Sequence, residues 1–305
     1  MVSHIVNETT STSAANTELP LGVVTVTYSP GPYLDALLRS LDKATRSGTY
    51  TVLADNGSSD GVPQEAAAAA GNVEFLDTGG NIGYGAGMNA GAARLRELVD
   101  GGKLRGDYLL LVNPDVAFHP GSVDELIACA QSWPGAGAVG PRIEEPDGSS
   151  YPSARAVPTL GTGIGHALLS GVWPANPWSR RYRKEQDMTQ RREAGWLSGA
   201  CVLVRWDAFT EIGGFDERYF MYLEDVDLGD RLSRAGWCNV FCPEAVITHA
   251  QGHSTKRHAR AMTKAHHQSA YRFQADRLPQ WWQAPVRWLL KIGLDTRALC
   301  AKLQN

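Results

Sequence analysis

The sequence predicts an α/β protein built on a mostly parallel sheet, from two features of its first 120 or so residues. Short β-branched or apolar runs alternate there with stretches of helical spacing. Each run also ends in a cluster of Gly, Asn, Asp or Ser, the turn chemistry expected at the carboxyl end of a strand.

Gly22 to Tyr28 is the first such run, stopped by Ser29-Pro-Gly-Pro32. Leu34, Leu37, Leu38 and Leu41 then repeat at helical spacing between Tyr33 and Thr45. Thr49 to Ala54 is a second strand, closed by Asp55-Asn-Gly-Ser-Ser-Asp-Gly61. An Ala-rich helix follows over Pro63 to Ala70, and a third strand over Val73 to Leu76. Gly79-Gly-Asn-Ile-Gly-Tyr-Gly-Ala-Gly87 opens a helix that runs through Arg94 and Leu98. Tyr108 to Val112 is apolar throughout, which predicts a central strand, and it ends at Asn113-Pro-Asp-Val116. Residues 145–195, rich in Pro, Gly, Trp and Arg, have no period and read as a long loop. Order returns over Gly195 to Val204. Glu224 to Gly236 reads as a helix, Val240–Phe241 and Ala245–Ile247 as short strands, and 256–304 as mainly helical.

Of the 305 residues, 43% are hydrophobic and 20% charged, which excludes wholesale disorder. A net charge of −3 gives no reason to expect nucleic acid as a partner. The charge is nonetheless uneven. Residues 256–305 hold ten Lys and Arg against two acids, a net +8, and the remainder is −11. The five Cys are odd in number and scattered; Cys238 and Cys242 lie four apart without a second pair to complete a zinc site. A reduced, cytoplasmic protein is the expectation. No apolar run reaches the ~20 residues of a membrane-spanning helix. Residues 1–20, polar and without a basic start or apolar stretch, read as a disordered leader rather than a signal peptide.

Ligands of such sheets bind beyond the carboxyl ends of the strands, where the polar clusters 55–60, 79–89 and 113–115 all fall. Asp115, at the end of an apolar strand, can hold a Mg2+ or Mn2+ ion whose other ligands are water and a diphosphate; Asn-Pro-Asp is equally a plain turn. The glycines can present backbone N–H groups to phosphate, but Gly83-Tyr-Gly-Ala-Gly87 has neither the spacing nor the position of a dinucleotide fingerprint, which speaks against an oxidoreductase. Glu224, Asp225, Asp227 and Asp230 crowd more acids into one helix start than dipole and capping chemistry needs. His249 follows a strand-like run and can complete the shell of a cation at Asp115, or serve as a structural hydrogen-bonder.

Taken in order, these clusters resemble family 2 glycosyltransferases of the GT-A fold. The matching pieces are Val23–Tyr28, Asp55–Gly61, Gly80-Asn-Ile-Gly-Tyr-Gly85 through Asn89, Asn113-Pro-Asp-Val116, Gly213-Gly-Phe-Asp-Glu217 and Glu224-Asp-Val-Asp-Leu228. The resemblance implies a GT-A domain over 21–255, with a nucleotide-sugar half to 140 and an acceptor half beyond it. It implies that Asp55 reads the base, with Tyr28 and Asn56 nearby. Gly80, Asn81, Gly83, Tyr84, Gly85 and Asn89 would line the nucleotide sugar, joined by Asn113. Asp115 and His249 would hold the metal. Asp225 would be the catalytic base with Glu224 orienting it or binding acceptor, and Trp196, Ser198 and Gly199 would face the acceptor. Val26–Pro30, Ala54–Gly57 and Gly79–Gly85 look more narrowly like actinobacterial members that move L-rhamnose from dTDP-rhamnose to N-acetylglucosaminyl-diphospho-decaprenol, with inversion; UDP-galactofuranose is the nearest rival donor. Asn113 departs from the family by replacing a first Asp, and Tyr28-Ser29 replaces the commoner Tyr-Asn.

The basic segment 256–305 gains a meaning in that setting. Trp281, Trp282 and Trp288 lie among Arg277, Arg287 and Lys291, the pattern of a helix in the headgroup region of an anionic leaflet. The expected location is therefore cytoplasmic, peripheral on the inner face of the plasma membrane. The same segment can instead pack on the catalytic domain or form a homodimer contact.

Overall fold

A computed structural model describes residues 19–158, 187–250 and 259–303. Most of the expected leader and the middle of the 145–195 loop lie outside the described residues.

The chain runs β1 (Leu21–Thr27), α1 (Tyr33–Ala44), β2 (Thr49–Asp55), α2 (Val62–Ala69), β3 (Val73–Asp77), α3 (Tyr84–Asp100) and β4 (Tyr108–Val112). These seven are the elements expected from the sequence. There follow β5 (Val116–Phe118), α4 (Ser122–Ser132), β6 (Ala136–Glu144), β7 (Ser150–Tyr151) and β8 (Ala154–Arg155). The expectation of an unstructured 145–195 loop needs a correction, since β7, β8 and β9 (Arg192–Ala194) lie within it and pair with neighbouring strands. After it come β10 (Trp196–Leu197), β11 (Cys201–Arg205), α5 (Trp206–Glu211), α6 (Glu224–Arg234) and β12 (Cys238–His249). Helices α7 (Ala259–Asp276) and α8 (Ala284–Leu303), with a 3-10 turn at Trp281–Gln283 between them, end the described chain.

The main sheet has the order β3-β2-β1-β4-β11-β6-β12-β5. β1 pairs in parallel with both β2 and β4, and β2 with β3. The expectation of a mostly parallel sheet needs a correction beyond β4. There β11 inserts antiparallel between β4 and β6, and β12 runs parallel to β6 but antiparallel to β5 and β9. The two short runs expected around 240 and 246 are one strand, β12, with an irregularity between Cys242 and Val246. The nucleotide and acceptor halves expected from the sequence thus share one continuous sheet.

Alternation along the central strands supplies the two faces of the core. Val23, Leu53 and Leu110 join Leu34, Leu37 and Leu41 of α1 and Leu126 of α4 on one face. Val24, Val52, Leu109 and Leu111 meet Met88 and Leu95 of α3 and Phe209 of α5 on the other. Each such side chain contributes about 1.5–3 kcal/mol when fully buried. With both faces filled, the strand ends at 27–29, 55–57, 77–79 and 112–115 are left open along one edge for a ligand.

Helix α7 belongs to this body. Phe273 is fully buried against Tyr219 and Val226, with Leu223, Val157 and Trp196 packed around them. Arg277 pairs with Asp230 of α6 at 2.5 Å, and Arg218 bridges Asp216 and Asp276.

Candidate active site

The loop after β2 is self-contained. The Asp55 carboxylate accepts from Thr27 Oγ1 (2.6 Å), from the Ser58 hydroxyl and from the backbone N–H groups of Gly57 (3.2 Å) and Ser58 (2.9 Å). Four donors fill the acceptor capacity of a carboxylate, so Asp55 first of all shapes its own loop. Asn56, also buried, donates to Gly83 O at 3.0 Å and accepts from Thr78 Oγ1 at 2.8 Å. The loop after β1 is tied to it by Ser29 N–H on Ser58 Oγ and Gly31 N–H on Asp60, and Tyr28 is left exposed.

The glycine loop comes next. Gly83 sits at φ 96°, and a Cβ there would lie 2.6 Å from the Phe220 carbonyl oxygen, so only glycine fits. Tyr84 N–H donates to that same carbonyl at 3.0 Å. Asn81 Oδ1 accepts from Gly83 N–H, and Gly80 O lies 2.8 Å from Thr78 Oγ1 as an alternative acceptor for its one proton. Gly85 packs against Phe215. Asn89 corrects an expectation. Its carboxamide is occupied by the 215–217 segment, donating to Phe215 O and Glu217 Oε1 and accepting from Phe215 N–H. It anchors the loop before α6 rather than offering its groups to a nucleotide.

Tyr84 links the two halves of the sheet. Its hydroxyl donates to Gly199 O at 2.6 Å, and the phenol is pushed well up by burial and by the nearby Glu224, Asp225 and Asp115. Gly199 N–H in turn donates to Asp225 Oδ2 at 3.0 Å, and a Cβ on Gly199 would stand 3.2 Å from that of Asp225. Asn113 N–H donates to the adjacent Ala200 O. A continuous chain of contacts therefore runs from Asn56 through Gly83, Tyr84 and Gly199 to Asp225, with Asn113 beside it. The clusters at 55–60, 79–89, 113–115 and 224–225 meet at one cleft.

At one side of this cleft His249 Nε2 lies 3.0 Å from Asp115 Oδ1, although 134 residues separate them. The β5–β12 register causes this, since it sets His249 opposite Val116. Among the described residues no three His, Cys, Asp or Glu side chains form a metal cage. Asn113 Oδ1, however, is buried without a hydrogen-bond partner, an oxygen of the kind a hard cation takes. Asp115, His249 and Asn113 fit an ion that draws its remaining ligands from phosphate and water.

On the other side stands the acidic pair. Glu224 is buried, its Oε2 has no partner, and its carboxyl is pushed up to about 8, first by burial and then by the charge of Asp225. Burial also raises Asp225, opposed by N–H donors from Gly199 and Val226 and by the Arg155 guanidinium. The two acids have unequal environments, so they can carry unequal charge. Asp227 and Asp230 are used otherwise, in ion pairs with Arg231, Arg234 and Arg277. Ser198 N–H is held by Ser153 O. The Trp196 ring is half-buried, its indole N–H donating to Ala156 O and Arg155 stacked over it at 5.9 Å. That placement makes Trp196 a wall behind α6 instead of an open sugar platform. Arg155 escaped the sequence reading, since it lies in a stretch with no period.

Residues 20–266 match the family described as glycosyltransferase like family 2. The chain is 51% identical over 280 residues, 91% of each chain, to the N-acetylglucosaminyl-diphospho-decaprenol L-rhamnosyltransferase of Mycobacterium tuberculosis. It is 26% identical over 257 residues to the rhamnosyltransferase WbbL of Escherichia coli, covering 83% of this chain and 92% of that one. In fold it is similar to the mannosyltransferase PcManGT from Pyrobaculum calidifontis, solved with GDP-Man and Mn2+, at a TM-score of 0.55 and 15% identity over 93% of this chain and 75% of that one. The matched region contains every element that builds the cleft, and the fold is the one expected of it, so the chain is an enzyme that belongs to the family 2 glycosyltransferases.

Proposed function

We propose that this enzyme transfers L-rhamnose from dTDP-rhamnose to a polyprenyl-diphosphate-linked N-acetylglucosamine, with inversion at the anomeric carbon. The juxtaposition that supports this most directly is the Tyr84–Gly199–Asp225 chain, which sets a carboxylate across one cleft from the Asp115–His249 pair. The identity of the sugar and of the acceptor leans on the 51% identical relative, whose name carries both.

The nucleotide lies against the ends of β1 and β2. Tyr28 offers an exposed ring, and the rotatable Ser58 hydroxyl on Asp55 can yield its place to a base imide N–H. The Gly80–Gly85 backbone faces the diphosphate. Asp115 and His249, with Asn113, would hold a divalent cation, and Mg2+ or Mn2+ bound there would supply positive charge to the leaving diphosphate. Asp225 accepts the proton of the acceptor hydroxyl as that oxygen attacks C1. The C1–O bond to phosphate breaks, the new C1–O bond forms on the opposite face, and dTDP leaves with the bonding pair. Burial pushes the Glu224 carboxyl up to about 8, which favours its neutral form, while the N–H donors of Gly199 and Val226 favour charge on Asp225. Ser198 and Gly199 border the acceptor sugar. An acceptor anchored by a polyprenyl chain places the enzyme peripherally at the inner face of the plasma membrane.

Asp225→Asn keeps the shape and removes the proton acceptor. Its turnover should fall on the order of a hundredfold or more, while dTDP binding by calorimetry stays within about twofold of the parent. Near-normal turnover would reject the assignment of the base.

A further inference from the structure

Helix α8 and the 3-10 turn that leads into it present apolar side chains to solvent. Trp281, Trp288 and Ile292 follow one i, i+4, i+7 row with Pro285, and Trp282, Val286 and Leu289 follow the row beside it. Trp281 is 81% exposed, and Trp282, Trp288 and Leu289 each exceed half. The other side of the helix is used within the chain. Leu294 lines a cleft with residues of α7, and Arg287 is held by the carbonyls of Leu278 and Gln280. A contiguous stripe with three exposed Trp is unusual on a surface that meets only water. It requires a second, apolar occupant.

Charge chooses the occupant. The stripe itself, residues 281–292, carries no acid, and it lies within a segment, 256–305, of net charge +8. A second copy docking here about a two-fold axis would bring like charges together. An anionic lipid surface takes both features at once, indole and aliphatic groups at the acyl boundary and guanidinium or ammonium groups among the headgroups. No described helix is long and apolar enough to cross a membrane, so the contact lies in the plane of the surface.

We propose that the Trp281–Ile292 stripe is the docking face on an anionic lipid leaflet, and that the α7–α8 hairpin fixes how the active-site cleft stands above it. The hairpin can do this because it is fastened to α6 through buried Phe273 and the Arg277–Asp230 pair, and to the loop before α6 through Arg218–Asp276. Helix α6 begins with Glu224 and Asp225. The lipid contact and the two carboxylates therefore sit on elements packed directly against one another. The purpose assigned to the face rests on the transferase reading; its affinity for lipid does not.

The test uses the full chain and sedimentation with vesicles of phosphatidylcholine, alone or with one-third phosphatidylglycerol, with no substrate present. The parent should partition onto the anionic vesicles with a blue-shifted Trp emission, and binding should weaken as salt is raised. Trp281→Ser/Trp282→Ser/Trp288→Ser should cut that partition at least tenfold. The same variant should keep parental turnover on a short-chain, water-soluble acceptor and lose at least tenfold on an acceptor embedded in the anionic vesicles. Equal partition of parent and variant overturns the proposal. So does a parent dimer that the triple substitution dissolves without any change in vesicle binding, which would make the stripe a contact between copies. Vesicle binding that persists alongside an absence of sugar transfer would instead sink the transferase reading and leave the docking face standing.

Discussion

Glu224 shows how a single buried acid can serve chemistry at a cost to stability. Its Oε2 has no partner, while the neighbouring Asp225 accepts two backbone N–H groups. Burial and the Asp225 charge push the Glu224 carboxyl up to about 8 from an ordinary 4.5. Between those two pH values the folded protein holds a proton that the unfolded chain has released. Folding is therefore weakened progressively as pH rises through that window, with no further loss above about 8. Glu224→Gln keeps the volume and ends the titration. At pH 8 the variant should be more stable than the parent by on the order of 1–3 kcal/mol, and the gap should close toward pH 5. Thermal unfolding midpoints of both proteins from pH 5 to 9 check this; a gap independent of pH would mean that Glu224 is ionised in the fold. Turnover should fall in the same variant if the neutral carboxyl orients Asp225 or the acceptor.

The elements are set by close approaches that the sequence states only in part. Gly83 must keep both φ 96° and the space beside the Phe220 carbonyl. Gly83→Ala should displace the 80–84 loop, break the Asn56–Gly83 hydrogen bond and lower dTDP affinity about tenfold or more, since backbone strain of 1–3 kcal/mol adds to a direct clash. Gly79→Ala is the control. Gly79 also has a positive φ, 80°, but nothing lies within 4 Å of its Cβ position, so its affinity should change far less; equal losses measured by calorimetry would discard the contact as the cause. Strands β1 to β4 were legible because each is a short run rich in β-branched or apolar residues closed by turn residues, and His249 because it is a polar residue ending one. β6 was not, because Gly137, Gly140 and Pro141 read as a break. Pro141 lies past the last β11 pair, at Val139, so its missing N–H leaves no gap on that side, while it stays in register with Cys242 of β12. Asn89 was misassigned for a related reason: its partners lie 126 and 128 residues away, and a glycine-rich neighbourhood points to a ligand just as readily as to a packed turn.

Taken as one body, the molecule closes the turn at 220–223 between the glycine loop at 80–84 and the C-terminal hairpin. Tyr222 and Leu223, directly before Glu224, both have left-handed backbone, at φ 68° and 64°. For non-glycine residues that conformation costs about 1–2 kcal/mol each, and nothing in Tyr-Leu announces it, so this part of the site was hidden in the sequence. The strain persists because both sides are held. Tyr84 N–H grips Phe220 O from the glycine loop. From α7, the buried Ser269 hydroxyl donates to Met221 O at 2.9 Å, His266 meets the Tyr222 ring edge-on at 5.5 Å, and Phe273 backs Leu223. Ser269 is the narrowest of these contacts to remove. A hydrogen bond of this kind is worth about 0.5–1.5 kcal/mol, so Ser269→Ala should lower kcat by up to about tenfold, with KM for the donor and the unfolding midpoint little changed. Ser269→Thr, which keeps the hydroxyl, should recover most of the loss. Phe273→Ala should instead cost about 3–5 kcal/mol of stability, because it empties a fully enclosed site. If Ser269→Ala retained full kcat, packing by Phe273 alone would be holding the turn. If kcat and stability fell together, α7 would be support for the fold and not for the position of Asp225.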